Sequence, residues 1–452
     1  MNEVADQENP SRSQIWKQRL SYGISDFACN LIWNMFTLYL MYFYTDIAGL
    51  SGAAVGTMIL VTRFVDSFSD MFTGVIIDKT NSRWGKSRPY IFFGGIPLAI
   101  FSVLTFTVPN LSIGGRLIWA YVTYLGASVF YGVVNIPISS ILPSLTNDPS
   151  ERVNLSTTRM ILSFSGATFV SVATLPLVQT FGHGNGAKGF FMTMVMYCII
   201  AVIFLFITFR NLRERHAVKP EPIAVRKGFK VLLSNAPWRV FATSTLFMWA
   251  SNFFVQGALI YYFTYVVGSA AQAAIVAGLI NFVPLVGTIA SPWLAKKMIK
   301  RNVFELGSAL AAVGLIVILL GHVNLPIIYL GTVLYAIGHG LRQNMYFTMQ
   351  ADPVDYSVWK TGVNIAGLIS AVNGFAGKIA MALSAAISGG LLAWGHYVPH
   401  TQQSSRAVMA ISTNFIYLPI LMIILSMIIM YFYKLDSQYD AIQKELKERI
   451  VK

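Results

Sequence analysis

Three charged residues interrupt an otherwise apolar stretch: Arg63, Asp66 and Asp70 in TRFVDSFSD. Offsets of three and four residues place all three on one face of a helix. Two carboxylates one turn apart repel each other when both are ionised. The pair therefore favours a shared proton or a bound monovalent cation, with Arg63 setting the balance. A charge cluster that only fixes helix packing is the alternative. Lys378, in NGFAGKIAMALS, is a further charge deep in an apolar run. A buried ammonium needs an anionic partner, and Asp66 and Asp70 are the natural ones. A lysine snorkelling to the membrane surface is the plainer reading, disfavoured by its distance from both ends of the run. Gly374 and Gly377 beside it are expected to let a neighbouring helix approach closely.

Arg159 in RVNLSTTR and Arg342 in GHGLRQNMYF are the other deep cations. Arginine grips carboxylates with two parallel hydrogen bonds, so either could anchor an acidic sugar or serve a structural ion pair. Asp26 lies near the start of its run and is expected to pair with a basic loop. Neutral polar residues with aromatic neighbours complete a plausible cavity: Asn30, Trp33 and Asn34, then Tyr131, Asn135 and Ser139, then Gln343, Asn344 and Tyr346. Sugars are held by planar polar side chains and an aromatic face under the ring. The same residue types also serve hydrogen bonds between helices. Tyr39, Tyr42 and Tyr44 read as a belt at the membrane interface.

Composition decides which elements hold these residues. Of 452 residues, 55% are hydrophobic and only 12% charged, and the mean hydropathy is +0.60. A soluble domain is about a quarter charged, so a wholly water-exposed surface is excluded. A helix crosses a bilayer core in about 20 residues. Apolar runs of that length recur near 20–44, 53–78, 89–109, 114–144, 155–178, 187–209, 238–266, 270–295, 303–321, 326–350, 363–394 and 408–433. The fold class expected is an all-α membrane protein with twelve transmembrane helices. Barrel strands would instead be short and alternating.

Basic residues cluster in alternate loops: Lys79, Arg83, Lys86 and Arg88 after the second run, Lys296, Lys297, Lys300 and Arg301 after the eighth, and a basic linker from Arg210 to Trp238. The positive-inside rule then puts both termini and the linker in the cytoplasm. The expected organisation is a tail at 1–19, a six-helix bundle at 20–209, a linker at 210–237, a second six-helix bundle at 238–433 and a tail at 434–452. The turn KTNSRWGKSRP is echoed by AKKMIKRN, and LTNDPSER by MQADPVDY. Six plus six helices with matching turns is the footprint of a major-facilitator-type transporter.

The excess of 33 Lys+Arg over 19 Asp+Glu belongs to those loops and does not argue for nucleic acid. Cys29 and Cys198 sit in apolar runs, and the histidines at 183, 216, 322, 339, 396 and 400 have no metal-ligand spacing. No Walker A, HExxH or GxSxG pattern is present, so ATP-driven transport and hydrolysis have no residue support. The polar, acidic N-terminus lacks the basic start and apolar core of a signal peptide and is expected to stay with the mature chain. The DKTNSRWGKSRP loop reads as a conformational latch and lipid anchor, and DSQYDAIQKELKERI as an amphipathic cytoplasmic helix.

The segments YLMYFYTDIAGL, RFVDSFSD, SRWGKSRPY, VVNIPISSILP and ADPVDYSVWKTG resemble the glycoside–pentoside–hexuronide:cation symporter family, which includes the melibiose carriers. The likeness runs over essentially the whole chain. It implies that Asp66 and Asp70 form the coupling-cation site, that Lys378 is charge-coupled to them, and that Arg159 contributes to sugar binding. Sugar-binding aspartates of melibiose-type members fall at Asn30 and Asn135 here, and a sodium-assisting threonine falls at Gly132. Losing two negative charges makes an anionic sugar less disfavoured, and SDFACN…VVNIP looks most like the glucuronide carriers of the family. Loss of the hydroxyl favours a proton over sodium.

The expected function is a secondary symporter of the bacterial inner membrane, multi-pass and monomeric, with no cofactor and no enzymatic activity. It would import a glycoside, a hexuronide first, with a proton. The cation site would comprise Asp66, Asp70, Lys378 and Arg63, with sodium at the aspartates as the alternative ion. Asn30, Asn135, Arg159, Ser139, Trp33, Arg342 and Gln343 would bind the sugar. A neutral pentoside, β-xyloside or galactoside is the alternative substrate, and a lipid transporter on the same fold is the alternative of another class.

Overall fold

The computed structural model describes residues 12–80, 82–146, 149–214, 225–363, 365–439, 441, 442, 444, 445 and 448. Most of the 1–19 tail, residues 215–224 of the linker and parts of the C-terminal tail, all assigned from sequence, lie outside the described residues, as does Asn147-Asp148 of LTNDPSER.

Every apolar run finds a helix. The helices are α1 (Arg12–Asn34), continued through two wide π turns to Ile47, α2 (Gly52–Lys79), α3 (Arg88–Thr105), α4 (Ile113–Ser140), α5 (Pro149–Gly182) and α6 (Gly186–Asn211). They are followed by α7 (Val225–Ser234) and α8 (Ala236–Tyr261), which runs on through a π turn to Val267. After these come α9 (Ala270–Ala295), α10 (Lys300–Gly321), α11 (Leu325–Met349), α12 (Asp352–Thr361), α13 (Ala366–Trp394) and α14 (Ser405–Ser437). Eight of these are long and apolar enough to cross a membrane: α3, α4, α5, α6, α9, α10, α13 and α14. The long helices that fall short, α1, α2, α8 and α11, carry Asp26, Asn30 and Asn34, then Arg63, Asp66 and Asp70, then Asn252 and Gln256, then His339, Arg342 and Gln343. Their hydropathy is low because they carry these polar and charged groups.

The helices pack as two groups. In one, α1 lies against α5 and α6, α2 against α4, and α3 against α4 and α6; in the other, α10 lies against α11 and α14, and α8 against α13 and α14. The groups meet along α2 with α13 and α5 with α9. Small residues make the first seam. A Cβ on Gly56 would stand 2.7 Å from the Ala385 carbonyl oxygen, and one on Gly389 would overlap the Gly52 backbone. Such backbone-to-backbone packing is how helices associate where lipid gives no hydrophobic drive.

At the end of the molecule away from the basic loops, polar contacts join the groups. Asp46 accepts hydrogen bonds from the phenols of Tyr265 and Tyr397 (2.6 Å for the latter), and its carbonyl lies 2.8 Å from His400 Nε2. Thr45 and Tyr261 are 2.7 Å apart, and deeper in, Asn281, which lines the central cavity, donates to Ser171 at 2.7 Å. This end is shut. Gly389→Val should hold it apart, because the new side chain meets the Gly52 backbone with nowhere to turn. In an Asn281→Cys background, that change is expected to speed labelling by a membrane-impermeant maleimide applied from this side. An unchanged rate would show that the seam does not control closure.

Two expectations are corrected. Tyr39 and Tyr44 are not an interface belt: each is 1% exposed, donating to the carbonyls of Ser171 (3.3 Å) and Thr105 (2.9 Å). Tyr42 stands edge-on to Tyr261. Gly374 and Gly377 admit no helix, since a Cβ on either would meet nothing within 4 Å; they widen a cavity instead. The RWGK turn is tied to its own group. Glu214 accepts from the N–H groups of Lys86, Ser87 and Arg88 at 2.7–3.1 Å, while Trp84 packs on Phe93 and Phe209. At the same end of the molecule, Lys300 binds Asp352 at 2.7 and 2.9 Å, and Tyr439 of the C-terminal segment donates to Asp355.

Candidate functional site

A cavity of about 780 Å³ lies between the two groups and is lined from both. That is within the range of small-molecule sites. One wall carries Asp26, Asn30, Trp33, Asn34, Ser139 and Arg159; the other carries Trp249, Asn252, Gln256, His339, Gln343 and Asn344, with Lys378 at the seam.

Lys378 brings the halves together. Its ammonium, on α13, lies 2.9 Å from Asp66 Oδ2 and also binds Asp70 Oδ2, both on α2. Arg63 backs the cluster, donating to Asp66 at 3.3 Å, Ser128 at 3.1 Å and Tyr124 at 2.6 Å. Its guanidinium lies 4.9 Å from the Trp33 ring centroid, so the charge cluster and a cavity-lining aromatic share a wall. The grouping holds two cations and two anions, all from helices expected to cross the membrane. The Lys378 ammonium lies between the two carboxylates. Asp70 Oδ1, by contrast, is buried with no hydrogen-bond partner among the described residues. It faces Gly132, where a Cβ would collide with it. An unpaired buried carboxylate oxygen is costly unless something binds there.

Arg159 does not stand free. Its Nε and Nη2 donate to Asp26 Oδ1 at 3.0 and 2.9 Å, Nη1 to Tyr22 at 3.2 Å and Nη2 to Ser139 at 3.2 Å. Asp26, expected to serve a basic loop, instead neutralises the cavity's arginine, because α1 packs along α5. Asn30 donates to Ser163 (2.8 Å) and accepts from Asn34 (3.0 Å). Asn135 stands behind the wall, donating to Tyr131 (2.8 Å) and accepting from Ser139 (3.2 Å); it orients Ser139 and does not line the cavity. Trp33 lies against Tyr131 with ring centroids 5.0 Å apart.

Arg342 was expected to reach the sugar, and the structure withholds it. It is fully buried behind His339, bonded to Ser251 at 3.1 Å. Gln343, next in sequence, does face the cavity. A helix turns 100° per residue, and here that rotation takes Arg342 behind the wall while Gln343 and Asn344 reach the cavity. The sequence reading missed Asn252, Gln256 and His339. Their signal was present, as polar side chains within apolar runs.

The chain matches the family described as MFS/sugar transport protein over residues 21–437. It is 41% identical over 440 residues to the isoprimeverose transporter of Lactiplantibacillus pentosus, covering 96% of this chain and 92% of that protein. It is 30% identical to the glucuronide carrier protein homolog of Escherichia coli (strain K12), with 96% of each chain covered. Among solved structures, a D-xylose-proton symporter shares the fold with a TM-score of 0.65 at 12% identity, over 93% of this chain and 97% of that one.

Proposed function

The chain belongs to the MFS/sugar transport family, within its glycoside–pentoside–hexuronide:cation symporters, and from that premise we propose that it imports a neutral glycoside together with a proton. It is a multi-pass membrane transporter and not an enzyme. The observation that carries the proposal is Lys378 of one helix group bridging Asp66 and Asp70 of the other beside a polar, sugar-sized cavity. Each charge is too costly to keep at membrane depth without use.

The helices form twelve spans in two six-helix bundles, 20–209 and 238–433, joined by the 210–237 linker. The basic loops and both termini lie in the cytoplasm of a bacterial cell whose inner membrane holds the carrier as a monomer. The closed end then faces outward, and the cavity opens inward. A proton settles on the Asp70 Oδ1 side of the pair, loosening Lys378's grip on α2. Sugar binding against Trp33 and the Arg159–Asp26 pair completes the load, and the bundles rock. With only one ligand bound, the Lys378 bridge restrains that motion. Sodium as the coupling ion would need further oxygen ligands that Gly132 does not supply. The polar lining of both walls favours a hydroxyl-rich cargo over a lipid.

The substrate reading departs from the acid sugar expected from sequence. With Arg159 already paired to Asp26 and Lys378 held by two aspartates, a carboxylate finds no uncommitted cation on the cavity wall among the described residues. The relative named for isoprimeverose, a neutral xylosyl-glucose, supports the same choice. A hexuronide is the second reading, favoured by the guanidinium of Arg159 at the cavity surface. Counterflow in proteoliposomes with labelled isoprimeverose separates them. Competition by unlabelled isoprimeverose and β-xylosides but not glucuronides is expected. Competition by glucuronides alone would reverse the assignment and leave the symporter standing.

A further inference from the structure

His339 sits on the C-terminal wall of the cavity, and its chemistry is fixed from behind. Arg342 Nε and Nη2 approach its Nδ1 at 3.4 and 3.3 Å. A guanidinium only donates hydrogen bonds, so Nδ1 must be the acceptor and the ring proton must sit on Nε2. A second proton would set N–H against N–H beside a full positive charge. Arg342 is itself fully buried, with Nη1 unpartnered among the described residues, and no carboxylate is among its hydrogen-bond partners there. The ring plane is set as well: Tyr335 lies parallel to the imidazole within 2°, centroids 6.1 Å apart. Orientation, tautomer and charge are thus all determined by residues away from the cavity.

We infer that His339 is a neutral Nε2–H donor to the transported glycoside, and that Arg342 is the positioning residue that holds it so. This rests on the glycoside-transport reading and extends it. The opposite wall, with Trp33, Arg159 and Asp26, takes one sugar unit. His339 Nε2–H donates a hydrogen bond to a hydroxyl or ring oxygen of the second unit, which a monosaccharide glycoside with a methyl aglycone lacks. A buried arginine kept without an acidic partner is explained by this task. A structural role would be filled as well by an apolar side chain of similar size.

The test is counterflow of isoprimeverose and of methyl β-xyloside by the reconstituted full-length carrier. His339→Leu should raise the half-saturation concentration for isoprimeverose by roughly three- to tenfold, the value of one neutral hydrogen bond, with the maximal rate kept and methyl β-xyloside unaffected. His339→Gln, which can return an N–H to the same place, should restore affinity. Arg342→Met should reproduce the loss, and the His339→Leu/Arg342→Met double variant should be no worse than His339→Leu. Unchanged affinity in His339→Leu, equal damage from Gln and Leu, or a fall in rate alone would overturn the donor assignment. Normal affinity in Arg342→Met would overturn its positioning role. Wild-type carrier inert to every glycoside would instead overturn the transport reading beneath both.

Discussion

Asp66→Asn is expected to abolish uphill accumulation of glycoside while leaving exchange of labelled for unlabelled sugar in place. The reason lies in the geometry of the ion cluster. Asp66 and Asp70 share one ammonium, and a neutral amide at Asp66 removes one anion. Lys378 then neutralises Asp70 outright, and no carboxylate is left to take the driving proton. One elementary charge moving down 100 mV carries about 2.3 kcal/mol, equivalent to an accumulation ratio of roughly fifty. In Asp66→Asn vesicles that ratio should fall to about one at the same imposed potential. Asp70→Asn should behave alike, and Lys378→Met should also uncouple, leaving two aspartates without their bridge. Accumulation surviving both aspartate variants would remove the pair from the coupling scheme.

Arg159→Met should lower glycoside affinity by roughly ten- to a hundredfold, the range for losing a hydrogen bond from a charged group. The Arg159–Asp26 pair is mostly buried, with side chains 23% and 12% exposed. Breaking such a pair from one side strands the other charge, at a cost of about 3 kcal/mol or more. The stranded Asp26 then faces the substrate. Two further variants tell a neutral substrate from an acid one. Replacing both partners, Asp26→Asn with Arg159→Gln, should recover part of the affinity for a neutral glycoside, since polar groups remain and no charge is left alone. Asp26→Asn alone should release the guanidinium and improve glucuronide competition. If Asp26→Asn leaves glucuronides excluded and the double variant stays as poor as Arg159→Met, the pair is not the charge gate described here.

Charge at membrane depth was the most legible part of the sequence. Asp66, Asp70 and Lys378 are rare residue types in apolar runs, and rarity alone singles them out before any packing is known. Their α2–α13 contact could be guessed from charge balance. The helices were equally legible, because an apolar run of fixed length is a one-dimensional signal.

What failed to show depends on which way a helix faces. Arg342 and Gln343 are neighbours in sequence, yet one is sealed behind the wall and the other lines the cavity; α11 carries polar residues on several faces, so periodicity could not choose. Asp26 looked like a loop partner because it lies early in α1, and only the packing of α1 along α5 brings Arg159 to it. Tyr39 and Tyr44 sit at a sequence position typical of a lipid interface, but α1 is central and surrounded. Asp46 passed unremarked within YLMYFYTDIAGL, since its partners across the groups, Tyr265, Tyr397 and His400, come from more than 200 residues away.

The central claim is that the Asp66–Asp70–Lys378 cluster couples glycoside to a proton. Its most direct test is the proton movement itself. Proteoliposomes with no imposed gradient and a pH-sensitive dye inside are given a sudden outside excess of isoprimeverose, in sodium-free buffer. The account predicts that the interior acidifies as sugar enters, and that Asp66→Asn vesicles take up sugar with no pH change. Sugar entering the wild type with no acidification, or only when sodium is added, would contradict it.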